Sequence, residues 1–220
     1  MATDTQRGRF ITFEGGEGAG KTTQITRLIE ALTAHQIAAI ATREPGGTPA
    51  AEDIRSLLVR GSTDRWAPLS EALLLNAARV DHLERLIRPS LANGQWVISD
   101  RFADSTTAYQ GHALGLGTQT TSDLEQMVVG DTQPDLTLIL DLPVDVGLTR
   151  ARAREADINE GEDRYEGFDI AFHETLRQAF LDIAKDAPNR CIVIDATQSP
   201  DEVAQAIWQA VITRFAEVTS

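Results

Sequence analysis

One eight-residue stretch constrains this chain more than any other: Gly15-Gly16-Glu17-Gly18-Ala19-Gly20-Lys21-Thr22, which reads G-x-x-x-x-G-K-[ST]. It follows an apolar β-type run, RFITFE at 9–14, and opens a helical pattern at 21–35. In that context the glycines let backbone N–H groups curl around phosphate oxygens, and the helix N-terminus adds partial positive charge. Lys21 supplies a point charge for the β/γ-phosphates, and the Thr22 hydroxyl is placed to ligate Mg²⁺. A nucleoside triphosphate site of this type needs a strand in front of the loop and a helix behind it. The chain is thereby committed to an α/β arrangement.

The remaining pattern agrees. Apolar runs at 37–42 (IAAIAT), 95–99 (QWVIS), Leu136–Asp141 and Cys191–Asp195 read as strands, the last two nearly continuous as in sheets covered on both faces. Helical patterns fill 50–60, 68–92, 122–130, 144–152, 169–185 and 200–218. Two segments read as excursions from the core: 101–121, rich in Gly, Thr and Gln, and 154–166, acidic and without helical apolar spacing. No repeat or low-complexity linker divides the 220 residues, so a single domain over 1–220 is expected.

Composition removes other classes of function. Twenty basic against 33 acidic residues gives a net charge of −13, which repels nucleic acid and anionic membrane. The basic residues are nearly all arginine, with Lys21 and Lys185 the exceptions, and guanidinium groups suit bidentate phosphate contacts. One cysteine, Cys191, excludes a disulfide framework and a Cys-ligated zinc site. His35, His82, His112 and His173 lack metal-ligand spacing. No apolar run reaches membrane-span length, and MATDTQRGRF lacks the apolar region of a secretory signal, so a cytoplasmic location is expected.

The phosphate loop alone does not choose among ATPases, switches and kinases. An Asn-Lys-x-Asp segment, the mark of guanine-reading switches, is missing. Asp100-Arg101 ends the strand QWVIS, where an Asp can hold an Mg²⁺-bound water and an Arg can fork onto a second phosphate. Thr42-Arg43-Glu44-Pro45-Gly46-Gly47-Thr48 puts Arg43 at another strand's carboxyl end, where ligands bind in open α/β sheets. Several cations converging on one point are what two facing phosphate groups require.

Together FEGGEGAGKTTQ, TREPGGT, NAARVDH, SDRFADSTTAYQG, PDLTLILD, and RARAR followed by DRYE resemble the bacterial thymidylate kinases, P-loop nucleoside monophosphate kinases. The resemblance implies a five-stranded parallel sheet with helices on both faces and a mobile lid at about 150–167. It implies γ-phosphoryl transfer from ATP to dTMP with Mg²⁺, in a homodimer. Gly15, Gly16, Glu17, Gly18, Ala19, Gly20, Lys21, Thr22 and Thr23 would hold ATP. Arg43, Pro45 and Arg101 would meet the acceptor phosphate, with Glu17 reaching toward the sugar 3′-hydroxyl and the metal region. Arg79 would face thymine with Leu75 beneath it, Thr106 and Tyr109 would line the base and deoxyribose with Gln110 beside them, and Ser105 would be a further substrate-binding residue. Thr22, Asp100 and Glu17 would face the metal, with Asp163 and Glu166 as lid-flanking acids. A kinase for UMP or dUMP is the alternative acceptor reading, and a P-loop switch ATPase the alternative class; an acceptor-dependence assay separates them.

Two departures stand out. Relatives with a basic residue inside the loop place it where this chain has Gly18, so a lid arginine must supply the charge. With a helix that ends near residue 152, Arg152 and Arg154 swing in together as catalytic groups beside Lys21, Arg101 and Glu17; on a continuous helix Arg150 and Arg154 share a face. Many relatives also place an aromatic ring where this chain has Leu75, four residues from Arg79 on one helix face.

Overall fold

Five strands, β1 (Phe10–Glu14), β2 (Ala39–Arg43), β3 (Trp96–Asp100), β4 (Leu136–Asp141) and β5 (Cys191–Asp195), run parallel in the order β2-β3-β1-β4-β5. They come from a computed structural model that describes residues 7–158 and 164–215, the side chains of 154–158 excepted. β1 is buried throughout, and its neighbours β3 and β4 are buried at all but their last residue. That is why their sequences read as continuous apolar runs. Alternate residues serve opposite faces. Ile11 and Phe13 pack with Ile25, Leu28 and Leu32 of α1 (Lys21–Ala34) and Val203, Ile207 and Val211 of α9 (Pro200–Arg214). On the other face Phe10 meets Leu83, Ile87 and Leu91, while Phe172, Leu176 and Phe180 of α8 (Ile170–Asp186) pack around Ile139.

The order of the strands decides where a ligand sits. The chain goes from β1 outward to β2, back to β3, and then across β1 to β4. The crevice beyond β1 is therefore the point where the winding reverses. The phosphate loop follows β1, and Arg43 pairs in register with Asp100 at the ends of β2 and β3. α2 (Pro49–Leu58) starts from an N-cap at Thr48, whose Oγ1 accepts from the Ala51 N–H with Pro49 in the first turn.

Three expectations require correction. The 68–92 pattern is not one α-helix: α3 (Pro68–His82) passes through a π-helical turn, Leu83–Ile87, into α4 (Arg88–Ala92). Pro89 has no N–H to give the preceding turn and its ring crowds the carbonyl four residues back, so the wider turn falls just before it. The 101–121 excursion is instead mostly helical: α5 (Ala103–Thr106), a π turn Thr107–Ala113, and the start of α6 (Thr118–Val128). Burial of Phe102, Ala103, Ala108 and Tyr109 outweighs the low helix propensity of its Gly and Thr. Finally, α7 (Val144–Ile158) does not end near 152, because Ala151, Ala153 and Ala156 among charged residues continue to favour helix. No described helix is long and apolar enough to cross a membrane.

Candidate active site

A cleft of about 1150 Å³ opens over the carboxyl ends of β1, β2 and β3. Its floor is the phosphate loop. Gly15, Gly18 and Gly20 have φ of 127°, 68° and 88°, the left-handed region in which a side chain is strained. At Gly18 there is a second reason for glycine. A Cβ there would lie 2.0 Å from the Gly147 carbonyl oxygen, so the loop packs directly on the first turn of α7. No side chain, basic or otherwise, fits at that position without moving α7.

Lys21 Nζ donates to the Gly15 and Gly16 carbonyls, each at 3.1 Å. Burial lowers its pKa, and the adjacent Arg101 lowers it further. The ammonium is thus held over the loop by contacts that a phosphate can replace. Thr22 Oγ1 donates to Asp100 Oδ2 at 3.1 Å. This places a hydroxyl and a carboxylate, both hard oxygen donors, beside the phosphate position, which fits Mg²⁺ bound by few protein ligands, water and substrate phosphates. Among the described residues no cluster of three His, Cys, Asp or Glu forms a closed metal cage. Glu166 lines the cleft; Asp163 lies outside the described residues.

The Arg101 guanidinium is fixed from several sides. Its Nη1 donates to Gly15 O (3.1 Å) and Ser105 Oγ (3.3 Å), and its Nη2 to Glu17 Oε1 (2.9 Å). Glu17 Oε1 also accepts from the Tyr109 hydroxyl at 2.6 Å, and the Tyr109 ring lies 4.9 Å from the Arg101 guanidinium carbon. Arg101, Glu17 and Tyr109 therefore form one unit in the cleft wall. Burial works against the Arg101 charge, but Tyr109, Glu17, Asp100 and Glu14 together raise its pKa. Behind it sits Glu14, wholly buried, accepting from the Phe102 N–H (2.8 Å) and Ser105 Oγ (2.6 Å). Burial and then the Asp104 carboxylate push Glu14 up to about 7.

The cleft is also lined by Arg43, Pro45, Leu75, Arg79, Thr106 and Gln110. Arg43 is half exposed and pairs with Glu52 of α2 at 2.9 Å. Arg79 is buried: Nε donates to Glu44 Oε2 (2.7 Å), Nη1 to Asn76 Oδ1 (3.3 Å), and Nη2 to Phe102 O and Thr106 Oγ1 (3.0 Å each). These contacts use four of its five N–H groups, leaving one on Nη1. Gln110 Nε2 donates to Glu71 Oε1 at 2.7 Å, while Gln110 Oε1 is buried with no hydrogen-bond partner. At two residues that line the cleft, the protein thus leaves unsatisfied one Nη1 N–H of buried Arg79 and the buried Gln110 Oε1.

The lid arginines are distributed differently from expectation. Arg150 lines the cleft and donates to Ala196 O at 3.3 Å; Arg152, exposed like Arg150, does not line it. The side chain of Arg154 lies outside the described residues. Three participants escaped sequence reasoning. Arg55, which lines the cleft and donates to Pro45 O at 3.1 Å, shares a helix face with the buried Ala51 four residues earlier; that spacing was its only signal. Glu44 and Glu71 are buried acids whose partners are 35 and 39 residues away, so nothing local marks them.

A family model described as thymidylate kinase matches residues 13–207. The thymidylate kinase of Caulobacter vibrioides is 54% identical over 209 residues, covering 95% of this chain and 98% of that protein. That of Magnetococcus marinus is 50% identical over 209 residues, with 95% and 98% covered. Among solved structures, the thymidylate kinase from Ehrlichia chaffeensis superposes with a TM-score of 0.75 at 34% identity, covering 93% of this chain and 99% of that chain. A family model over most of the chain and relatives at about half identity along nearly its whole length place it: the chain belongs to the thymidylate kinase family.

Proposed function

We propose that this chain transfers the γ-phosphoryl group of ATP to dTMP, giving ADP and dTDP, with its substrates meeting across the cleft from the phosphate loop to Gln110. The observation that carries the choice of acceptor is the unsatisfied pair in the wall. Thymine offers an O4 acceptor next to an N3–H donor, which suits the remaining Arg79 N–H and the Gln110 Oε1 acceptor. Cytosine offers a donor and an acceptor in the opposite order and meets like against like. A site built for one hydrogen-bonding pattern rejects its inverse strongly.

The transfer itself needs positioning and charge neutralisation more than covalent chemistry. Lys21 and the loop N–H groups hold the donor phosphates; Arg101 and Arg43, with Arg55 beside Pro45, hold the acceptor phosphate. Glu17 fixes the Arg101 fork and reaches the sugar and metal region with Tyr109 and Ser105. Thr22 and Asp100 would hold Mg²⁺, with Glu166 and Asp163 as outer acids; when bound, the ion spreads the charge of the phosphates. Segment 150–167 acts as the lid on a single domain, with Arg150 and, one turn on along the same face, Arg154 supplying charge to the donor. We place the protein in the cytoplasm, consistent with its unpaired, buried Cys191.

A homodimer is the assembly we favour. Leu69, Leu73 and Val80 are exposed along α3, and Met127 of α6 is exposed too. Leu69, Leu73 and Val80 share a helix face at spacings of four and seven, an arrangement that burial against a second copy explains. Sedimentation at the mass of one chain would remove this assembly. The reaction is tested by coupled ADP release with dTMP, dUMP, UMP and dCMP. Turnover that depends on dTMP and falls steeply with dCMP is expected. Faster turnover with UMP would move the chain to another acceptor, and equal ADP release without any acceptor would make it a switch ATPase.

A further inference from the structure

Glu71 lies at the first turn of α3, wholly buried, and does not line the cleft. Its carboxylate is nevertheless the centre of a closed cluster. Oε1 accepts from Gln110 Nε2 at 2.7 Å and from the Tyr165 hydroxyl at 2.9 Å, and Oε2 accepts from Arg164 Nη2 at 2.5 Å. Arg164 is equally buried and spends its other donors on the carbonyls of Leu58, Ser62 and Thr63, so it cannot turn away. Facing this guanidinium and two further donors, the carboxylate acts purely as an acceptor.

That chemistry decides something the fold alone does not. A glutamine amide can present either its oxygen or its NH₂ group by rotating half a turn, and the two ends have nearly the same shape. With Glu71 at 2.7 Å, only the NH₂ end can face inward; the inverse would set two acceptor oxygens against each other without a proton between them. We infer that Glu71 is a specificity-determining positioning residue, which locks the Gln110 amide with its NH₂ inward so that a carbonyl acceptor is what remains for the base. The preference for an N3–H donor is then set one layer behind the residue that reads it. The same carboxylate ties Gln110 to Arg164 and Tyr165, near the C-terminal end of the lid segment, so the reader is braced by that anchored end. This inference rests on the reading of Gln110 as the base's acceptor.

The test measures kcat/KM for dTMP and for dCMP in wild type, Glu71→Gln, Gln110→Met and the double variant, with a melting curve for each. A glutamine at 71 can offer either end, so the Gln110 amide is free to invert. The dTMP:dCMP ratio should fall by about tenfold in Glu71→Gln, the equivalent of one hydrogen bond. It should not fall further when Glu71→Gln is added to Gln110→Met. A structural role alone would lower the melting temperature and both rates together, leaving the ratio unchanged, and that result overturns the inference. If Gln110→Met itself keeps the wild-type ratio, the base is read elsewhere, and the reading of Gln110 falls along with its positioning. Should Glu71→Gln fail to fold with its buried partner Arg164 uncompensated, Glu71→Met combined with Arg164→Met removes both charges at once. The same fall in ratio is expected there, and an unchanged ratio overturns the inference equally.

Discussion

Replacing Glu14 by glutamine should change how stability responds to pH. The carboxyl is wholly buried behind the phosphate loop, and burial followed by the Asp104 charge moves it from 4.5 up to about 7, against the pull of Arg101, Ser105 and the Phe102 N–H. In the unfolded chain the same group titrates near 4.5. Between the two values the folded protein keeps a proton that the unfolded chain has released, so stability falls as pH rises. The contribution is complete below about pH 4.5 and is lost by about pH 7, opposite to a salt-bridged carboxylate with a lowered pKa. At 1.36 kcal/mol per pH unit, the span corresponds to about 3 kcal/mol. Glu14→Gln keeps an acceptor for the Phe102 N–H and has no proton to lose. Urea unfolding, followed by tryptophan fluorescence across this range, gives the free energy of wild type minus that of the variant. Taking the difference cancels the titration of groups common to both. The difference should decline by about 3 kcal/mol from pH 4.5 to 7.5. A flat difference, or one that rises with pH, would refute the account of Glu14 as a buried, raised carboxyl.

Other substitutions separate binding from folding. Lys21→Ala should leave the protein folded and lower kcat by about a hundredfold or more, equivalent to about 3 kcal/mol of transition-state stabilisation; near-normal kcat would mean that the loop is not the donor site. Arg79→Ala should cost about 1.5–3 kcal/mol in kcat/KM for dTMP. It should also cost about 3–5 kcal/mol in stability, because buried Glu44 loses its guanidinium partner; a wild-type unfolding midpoint would contradict that coupling. Leu75→Phe should lower KM for dTMP by a factor worth about 0.5–1.5 kcal/mol if residue 75 forms the floor beneath the base, and an unchanged KM places the floor elsewhere.

What the sequence determined by itself was local chemistry. A loop of glycines between an apolar run and a helix pattern can be recognised because each requirement, positive φ, free N–H groups and a lysine at a fixed offset, lies within eight residues. The five strands were legible for the same reason, as short apolar runs between turn residues. Tertiary structure decided whatever depends on partners far along the chain. It made 101–121 a buried helical wall despite its composition, because Phe102 and Tyr109 had a core to enter. It carried α7 past 152 and put Arg150, not Arg152, on the cleft. It turned Arg79 from a helix arginine into the centre of a buried network with Glu44, Phe102 and Thr106. Glu14, Glu44 and Glu71 carry no local mark at all. Their burial and hydrogen bonds are set by residues 35 to 94 positions away, distances over which propensity and periodicity carry no information.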